Sequence, residues 1–565
     1  MNVRWNSAGQ APALAARNEK KVPGRVLPRL PAAWIEGVVL LGALSLFTLA
    51  LAPSLRETGI PPGWDPSVHL RDSLVYERLL RDPAALSFDT LRAILRGSED
   101  YPLLTPSGYY PPLVPGVTAL LYRVAGRSYE VAMATNALFL ALLLAGTWGL
   151  GNRMLGRPAG ILASLLLLTA PGIRLNAGEY MLDLPLAAMV VLSTLTLLGT
   201  EGFSRRGRSV AFGALCGAGM LTKWSFFLFL ATPVVLVLMS AAKESRRGGG
   251  SVAGRWVNLA LALLAAVLVA APYYAPILPI LVRKTLVHAG GAADGFTSPF
   301  TPGSVLFHLE ALPRRLMGWP LSVAVAAGIL LLPWRRGEAR RAGLFLGVWA
   351  LSLYALFTFA VVNKQSRYLL PWLPVLVTAG AGGIADLWRS RELPARPARA
   401  LACLLLALPL AGLPRGSRPE SAEDWQVSDM VECLGKDLPP RLPEGKQAWR
   451  MGILPDMRRI NGPTVAYYVS RRDLPVTVVQ LVNRMKRHVS VEVGLDPFNR
   501  WDFYETFDGY DYLLTKTGEN AVPPWESVVP AMQRYFEERR GEFTVVGLFH
   551  EPDGSVMTLH RRNRG

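Results

Sequence analysis

Three ionisable side chains fall at helical spacing in Gly63-Trp64-Asp65-Pro66-Ser67-Val68-His69-Leu70-Arg71-Asp72. Pro66 suits the first turn of a helix capped by Asp65. The i, i+4, i+7 spacing then sets Asp65, His69 and Asp72 near one face. A capping carboxylate is also able to take a proton from a substrate hydroxyl, so the cap and a general-base role for Asp65 are compatible. His69 reads more simply as a hydrogen-bonded interfacial histidine than as a metal ligand. Asp72 reads as part of a solvated helix face, with an accessory role as the alternative.

A second polar group is Arg174-Leu175-Asn176-Ala177-Gly178-Glu179-Tyr180-Met181-Leu182-Asp183-Leu184-Pro185, at the junction of two apolar runs. A surface turn accounts for Arg174 and Glu179. It does not account for Asp183, whose carboxylate costs several kcal/mol at a membrane edge without a partner or water. Lys223 stands alone between apolar stretches, and Lys364 and Arg367 flank the break at 363–368. These cations are either snorkelling anchors or a site for an anion, most naturally phosphate.

The elements that must position these groups are membrane spans. Of the 565 residues, 51% are hydrophobic and 18% charged, with a mean hydropathy of +0.26; soluble domains carry about 25% charged residues. Runs long enough to cross ~30 Å of hydrocarbon are read at 34–53, 130–151, 159–175, 181–200, 209–222, 224–242, 256–275, 320–334, 343–362, 367–388 and 400–413. The stretch 209–242 is read as two short helices broken at Leu221-Thr222-Lys223-Trp224. Placing the N-terminus in the cytoplasm then leaves 1–33, 152–158, 201–208, 243–255, 335–341 and 386–399 inside. Those segments hold 23 Lys and Arg against six acids, nearly the whole of the net +18. The positive-inside rule explains that excess, and a nucleic-acid partner is excluded. The polar clusters all fall in the outward loops, including the long first loop 54–129.

Two strings mislead. Ala50-Leu51-Ala52 resembles a cleavage site, but about thirty residues precede its apolar run, so an uncleaved anchor is expected. Gly380-Ala381-Gly382-Gly383-Ile384-Ala385 fits a dinucleotide-binding pattern, yet lies inside an apolar span with no strand before it; small-residue helix packing is expected. Cys216, Cys403 and Cys433 form neither a disulfide framework nor a zinc motif. Beyond 414 the chain turns charged and aromatic. Strands are expected at 450–454, 476–481, 512–515, 543–550 and 556–560, with helices at 459–471 and 526–539. Pro552-Asp553-Gly554-Ser555 is a hairpin turn. The expected fold is thus a polytopic α-helical membrane protein of about 11 transmembrane helices. Residues 1–33 form a basic cytoplasmic segment, 34–413 the membrane domain and 414–565 a small extracytoplasmic α/β domain.

Over roughly residues 34–390 the chain resembles the GT-C superfamily of membrane glycosyltransferases, especially the protein-mannosyltransferase-like and RgtA/B/C/D-like families and the lipid A aminoarabinose transferases. The resemblance rests on Asp65 in the first outward loop, Tyr110-Pro111-Pro112-Leu113, Arg174 with Glu179-Tyr180-Met181-Leu182-Asp183-Leu184-Pro185-Leu186, Gly217-Ala218-Gly219-Met220-Leu221-Thr222-Lys223, and Arg367-Tyr368-Leu369-Leu370-Pro371-Trp372-Leu373-Pro374. It implies a polyprenyl-phosphate sugar donor, an extracytoplasmic acceptor and a first-loop carboxylate as general base. Asp65 and Asp183 are the catalytic candidates. Tyr110, Arg174, Lys223, Lys364 and Arg367 are the donor-phosphate candidates; His69, Asp72 and Glu179 are accessory. Two positions depart from the family: Pro66 replaces an acid that often follows the Asp, and Tyr110 replaces a Lys often found before Pro-Pro. The first weakens a paired-acid metal site, so a divalent metal stays open. The second shifts phosphate neutralisation onto the other cations.

The expected activity is an inverting hexosyl or pentosyl transfer at the extracytoplasmic face of the cell membrane. The rival is a multi-pass transporter or flippase, which tends to show internal repeats and polar groups at the midplane; neither is evident here. A non-catalytic scaffold with a partner-binding far-side domain is a second rival.

Overall fold

The computed structural model describes residues 32–52, 55–56, 61–85, 87, 101–107, 110–247, 251–289, 300–332, 337–361, 364–389, 394–411, 424–481, 507–521 and 528–563. The basic N-terminal segment, most of it, and Asn363 lie outside these. The chain divides into two compact units, residues 1–52, 136–178 and 182–415 in one, and 53–135, 179–181 and 416–565 in the other.

The first unit is helical because its sequence is apolar over long runs with every backbone amide needing an internal partner. Its helices are α1 (Ala32–Leu51); α4 (Tyr129–Leu155), α5 (Arg157–Leu168), α6 (Pro171–Ala177), α7 (Asp183–Gly199), α8 (Arg206–Met220), α9 (Phe226–Ser245), α10 (Val252–Ala289), α11 (Pro302–Ala311), α12 (Trp319–Leu331), α13 (Glu338–Phe359), α14 (Leu373–Arg389) and α15 (Ala395–Ala411). Among the described residues six helices are long and apolar enough to cross a bilayer, or up to eight if two bent pairs each count as one span. α5 and α6 meet at 64°, and the segment from α11 meets α12 at 119°; Pro171 and the positive-φ Gly318 sit at those breaks. The expectation of about eleven counted shorter helices as spans. α7 and α8, of 17 and 15 residues, lie at or just under the short end of the ~17–25 residues of a full crossing. The chain does break between α8 and α9 over 221–225, as the charge pattern required.

Small residues let these helices approach closely. The Gly380–Ala385 string lies inside α14 and packs as expected of a helix: a Cβ at Gly383 or Gly380 would collide with the backbone of Gly328 or Val325 on α12. Gly213 and Gly217 of α8 likewise face the backbone of α10 at Ala262 and Ala266. Replacing Gly383 by Leu is therefore expected to cost about 1–3 kcal/mol. Thermal unfolding in detergent would show it, against Gly347→Ala, where nothing lies within 4 Å, as the silent control.

The second unit joins the first loop to the C-terminal region. The sequence grouped 54–129 with the membrane domain; here 53–135 shares one compact body with 416–565. The reason is α2 (Trp64–Arg81), which buries Leu70, Leu74 and Val75 along with His69, Asp72 and Arg78. α2 packs between α3 (Leu113–Ala125) and α17 (Gly462–Arg471). Ser67 and Thr464 hydroxyls both donate to the Pro62 carbonyl at 3.1 Å. α16 (Val427–Asp437) and α18 (Val528–Glu538) complete the helices. The five strands are β1 (Trp449–Ile453), β2 (Val476–Gln480), β3 (Tyr512–Lys516), β4 (Phe543–His550) and β5 (Val556–Arg562), within a few residues of the positions read from sequence. Their order is β2-β1-β3-β5-β4. β1 pairs in parallel with β2 and β3, and β5 antiparallel with β3 and β4. The parallel step from β1 to β2 uses α17 as its crossover, the usual route between parallel strands. The β4–β5 hairpin turns at 551–555, where Gly554 takes φ +79°. Phe507, Leu513, Phe536 and Phe543 form a core on this sheet.

Candidate functional site

Each unit holds its own polar group. In the second, α2 begins two residues before the expected start. Gly63 occupies the cap, without a side-chain cap bond, and Asp65 lies inside the first turn; the expected Asp65 cap is corrected. Pro66 still belongs in that turn, where its missing N–H leaves no bond unmade. A carboxylate there meets the positive end of the helix. Asp65 is half-buried and accepts a hydrogen bond from the Tyr110 hydroxyl at 3.2 Å. One turn on, the buried His69 ring meets Tyr110 edge-to-face at 4.4 Å. Asp65, His69 and Tyr110 thus form one cluster.

Asp72, expected on a solvated face, is fully buried. Its carboxylate accepts from the Ser107 backbone N–H at 2.8 Å and the Ser107 hydroxyl at 2.5 Å. Arg71 donates to the Pro102 and Thr105 carbonyls, each at 3.0 Å. Together they fasten 102–107 to α2 just before Tyr110, which is why this helix face turned inward. Burial pushes the Asp72 carboxyl up to about 6, against the opposing pull of Arg71 and Ser107. The folded state therefore holds this proton where the unfolded chain, with its usual value of 3.8, has released it. Stability from Asp72 is present below pH 4 and is lost as pH rises through about 6. Wild-type stability relative to Asp72→Asn is expected to fall across that window, measured by thermal unfolding at stepped pH. Glu179 is exposed, whereas its neighbour Tyr180 is buried and bonded to Ser73 at 3.0 Å and to Thr118.

In the first unit, Asp183 opens α7 and is buried. Lys223, in the break between α8 and α9, donates to it at 2.7 Å. The Asp183 Oδ2 has no hydrogen-bond partner among the described residues. The Lys223 ammonium also stands 4.9 Å above the Tyr368 ring, and the Arg367 guanidinium 5.7 Å from that ring. Arg367 is oriented by a 2.7 Å bond from its Nε to Gln365. Two cations, from the α8–α9 break and the 3₁₀ turn Ser366–Trp372, thus meet at Tyr368, and one of them is paired with Asp183 of α7. Lys364 does not face this group with its ammonium unspent. It donates to the Phe357, Thr358 and Val361 carbonyls at 3.1, 2.6 and 3.2 Å, closing the C-terminal turn of α13. His308 bonds the same Phe357 carbonyl at 3.1 Å. A cation there also meets the negative end of the helix. Arg174 lies on the short helix α6, half-buried. Tyr368 was not singled out from sequence; its place beside Arg367 in a break between spans was the available signal. Among the described residues no three His, Cys, Asp or Glu side chains group as metal ligands.

The family model for dolichyl-phosphate-mannose-protein mannosyltransferase matches residues 110–275, a stretch that carries Tyr110, Arg174, Asp183 and Lys223. No curated protein matches by sequence. Among solved structures, ArnT from Cupriavidus metallidurans bound to undecaprenyl phosphate is similar with a TM-score of 0.58 at 17% identity, covering 94% of this chain and 98% of that one. The chain has the GT-C glycosyltransferase fold. The apo form of the same ArnT gives 0.55 at 15% identity, with the same coverage. A further GT-C likeness is to the archaeal oligosaccharyltransferase AglB from Archaeoglobus fulgidus, in complex with an inhibitory peptide and a dolichol-phosphate. Its TM-score is 0.51 at 13% identity, over 93% of this chain and 74% of that one. That fold is carried here on six to eight helices long and apolar enough to cross a membrane among the described residues.

Proposed function

We propose that the protein moves a sugar from a polyprenyl-phosphate donor to an acceptor hydroxyl on the extracytoplasmic side of the cell membrane. The reaction is a single displacement with inversion. The acceptor oxygen bonds to the anomeric carbon, the bond from that carbon to the phosphate oxygen breaks, and the acceptor proton passes to Asp65. The departing phosphate takes the electron pair and is stabilised by Lys223 and Arg367, with Arg174 as a further cation. Asp183 orients the acceptor or shares the proton-accepting role, and the oxocarbenium-like transition state favours carboxylates nearby. Tyr110 holds Asp65 in place, and His69 fixes the ring of Tyr110. Lys364 serves this site by closing α13 ahead of the Ser366–Trp372 turn that carries Arg367 and Tyr368.

The observation that carries this reading is the group of Asp183, Lys223, Arg367 and Tyr368. A buried carboxylate, one of whose oxygens has no partner among the described residues, is paired with Lys223, and the Lys223 ammonium shares the Tyr368 ring with the Arg367 guanidinium in breaks between apolar helices. Ionisable residues so placed are costly and mark substrate sites. The ligands in the ArnT and AglB structures, undecaprenyl phosphate and dolichol-phosphate, supply the donor class by analogy. The test is reconstitution in sealed vesicles with a labelled polyprenyl-phosphate sugar and an envelope-glycan extract. Label incorporated into acceptor supports transfer. Label carried across the membrane without incorporation would replace it with transport.

A further inference from the structure

The C-terminal end of α2 opens into a cavity of about 440 Å³, within the ~300–1,000 Å³ range of small-ligand sites. Its polar lining comprises Arg78, Arg81 and Asp82 from the helix end, Tyr101 from the segment that Arg71 and Asp72 fasten, and Gln447 and Asp473 from the C-terminal region. One wall is rigid. Arg78 is buried and donates from Nε to Asp473 at 2.7 Å, from Nη1 to the Ser470 hydroxyl at 3.0 Å, and from Nη2 to the Ser470 carbonyl. Arg127 grips the other side of Asp473 at 2.8 and 3.0 Å and is paired in turn with Glu77. The mouth is different. Among the described residues, the side chains of Arg81, Asp82, Tyr101 and Gln447 make no hydrogen bond or ion pair.

We propose that this cavity is a saccharide subsite that holds a sugar unit of the acceptor. A hydroxyl-rich ring needs planar groups that both donate and accept, plus one apolar face to lie on. Arg81 supplies donors, Asp82 acceptors and Gln447 both; Tyr101 supplies a face with a polar tip. A site for a simple anion would not carry an unneutralised Asp82 at its entrance, and a purely apolar ligand would make no use of the donors and acceptors at the mouth. The Arg78–Asp473–Arg127 network preorganises the wall, so little ordering entropy is lost when a ligand enters. Roughly 24 Å of helix separates Arg81 from Asp65 at 1.5 Å per residue. The subsite therefore holds a part of the acceptor remote from the reacting hydroxyl, where binding energy serves to orient the reacting end.

The proposal rests on the transferase reading for the identity of its ligand, but its test does not require turnover. The full-length protein in nanodiscs is titrated with the neutral tetrasaccharides of glucose, mannose, galactose and N-acetylglucosamine, with inorganic phosphate alongside. Saturable binding of at least one tetrasaccharide is expected, undisturbed by phosphate and weakened at least tenfold in Tyr101→Ala and in Asp82→Ala. The same binding is expected in Asp65→Asn, whose loss of transfer tests the chemistry separately. No binding by any of the four sugars, binding unchanged in both cavity variants, or competition by phosphate would overturn the subsite while leaving the transferase reading standing.

Discussion

Asp65→Asn is expected to lower sugar transfer by at least about 100-fold, the lower end of what a positioned general base contributes. Protein yield and membrane insertion should be unchanged, because the substitution keeps the shape and an acceptor oxygen for the Tyr110 hydroxyl bond seen at 3.2 Å. Turnover of a labelled polyprenyl-phosphate sugar by the purified variant is the measurement. Near-normal turnover would reject Asp65 as the base. Tyr110→Phe gives the companion result. It removes only the hydroxyl that orients the carboxylate, so a smaller loss with a shifted pH–rate profile is expected.

The second large effect belongs to the Asp183–Lys223 pair, whose side chains are 1% and 17% exposed. Taking away one partner of a buried pair strands the other, at about 3–5 kcal/mol. Asp183→Ala and Lys223→Ala are each expected to lower the unfolding temperature in detergent, and the double variant to lose less than the two together, because contacting residues couple. Lys223→Arg keeps the charge but alters the reach to Asp183. It should recover most of the stability while transfer stays depressed, with a raised donor KM if Lys223 binds phosphate. Full recovery of transfer by that variant would leave Lys223 a structural residue only.

The strands of the C-terminal region were legible because alternation and turn residues are local signals; 543–550 matched to the residue. The break around Lys223 was legible through charge, since one uninterrupted span would have put three basic loops on the wrong side. What sequence hid were tertiary partnerships. Asp72 looked solvated because nothing near it in sequence shows that Ser107 would fold onto it, 35 residues away. Lys364 looked like a phosphate ligand because its composition-level oddity, a cation between apolar runs, is the same whether the ammonium meets a substrate or three carbonyls at a helix end. Asp65 was read as the cap because an Asp before Pro is a common start. Here Gly63 takes that position, so the carboxylate is left to accept from Tyr110. In each case residue type and spacing identified an unusual group, while its partner depended on a distant segment.

The hydroxyl of Ser67 meets Thr464 across 397 residues of chain. At about 5–20 residues per second, synthesis of that interval takes roughly 20–80 s. The side of α2 that packs on α17 must wait that long for its cover, while α3 is made soon after α2 itself. Newly made protein is thus exposed to proteolysis and self-association until its last quarter emerges. A premature stop between the last helix of the first unit, which ends at Ala411, and Thr464 would leave intact spans joined to a first loop lacking its cover, marking the truncated chain for quality control.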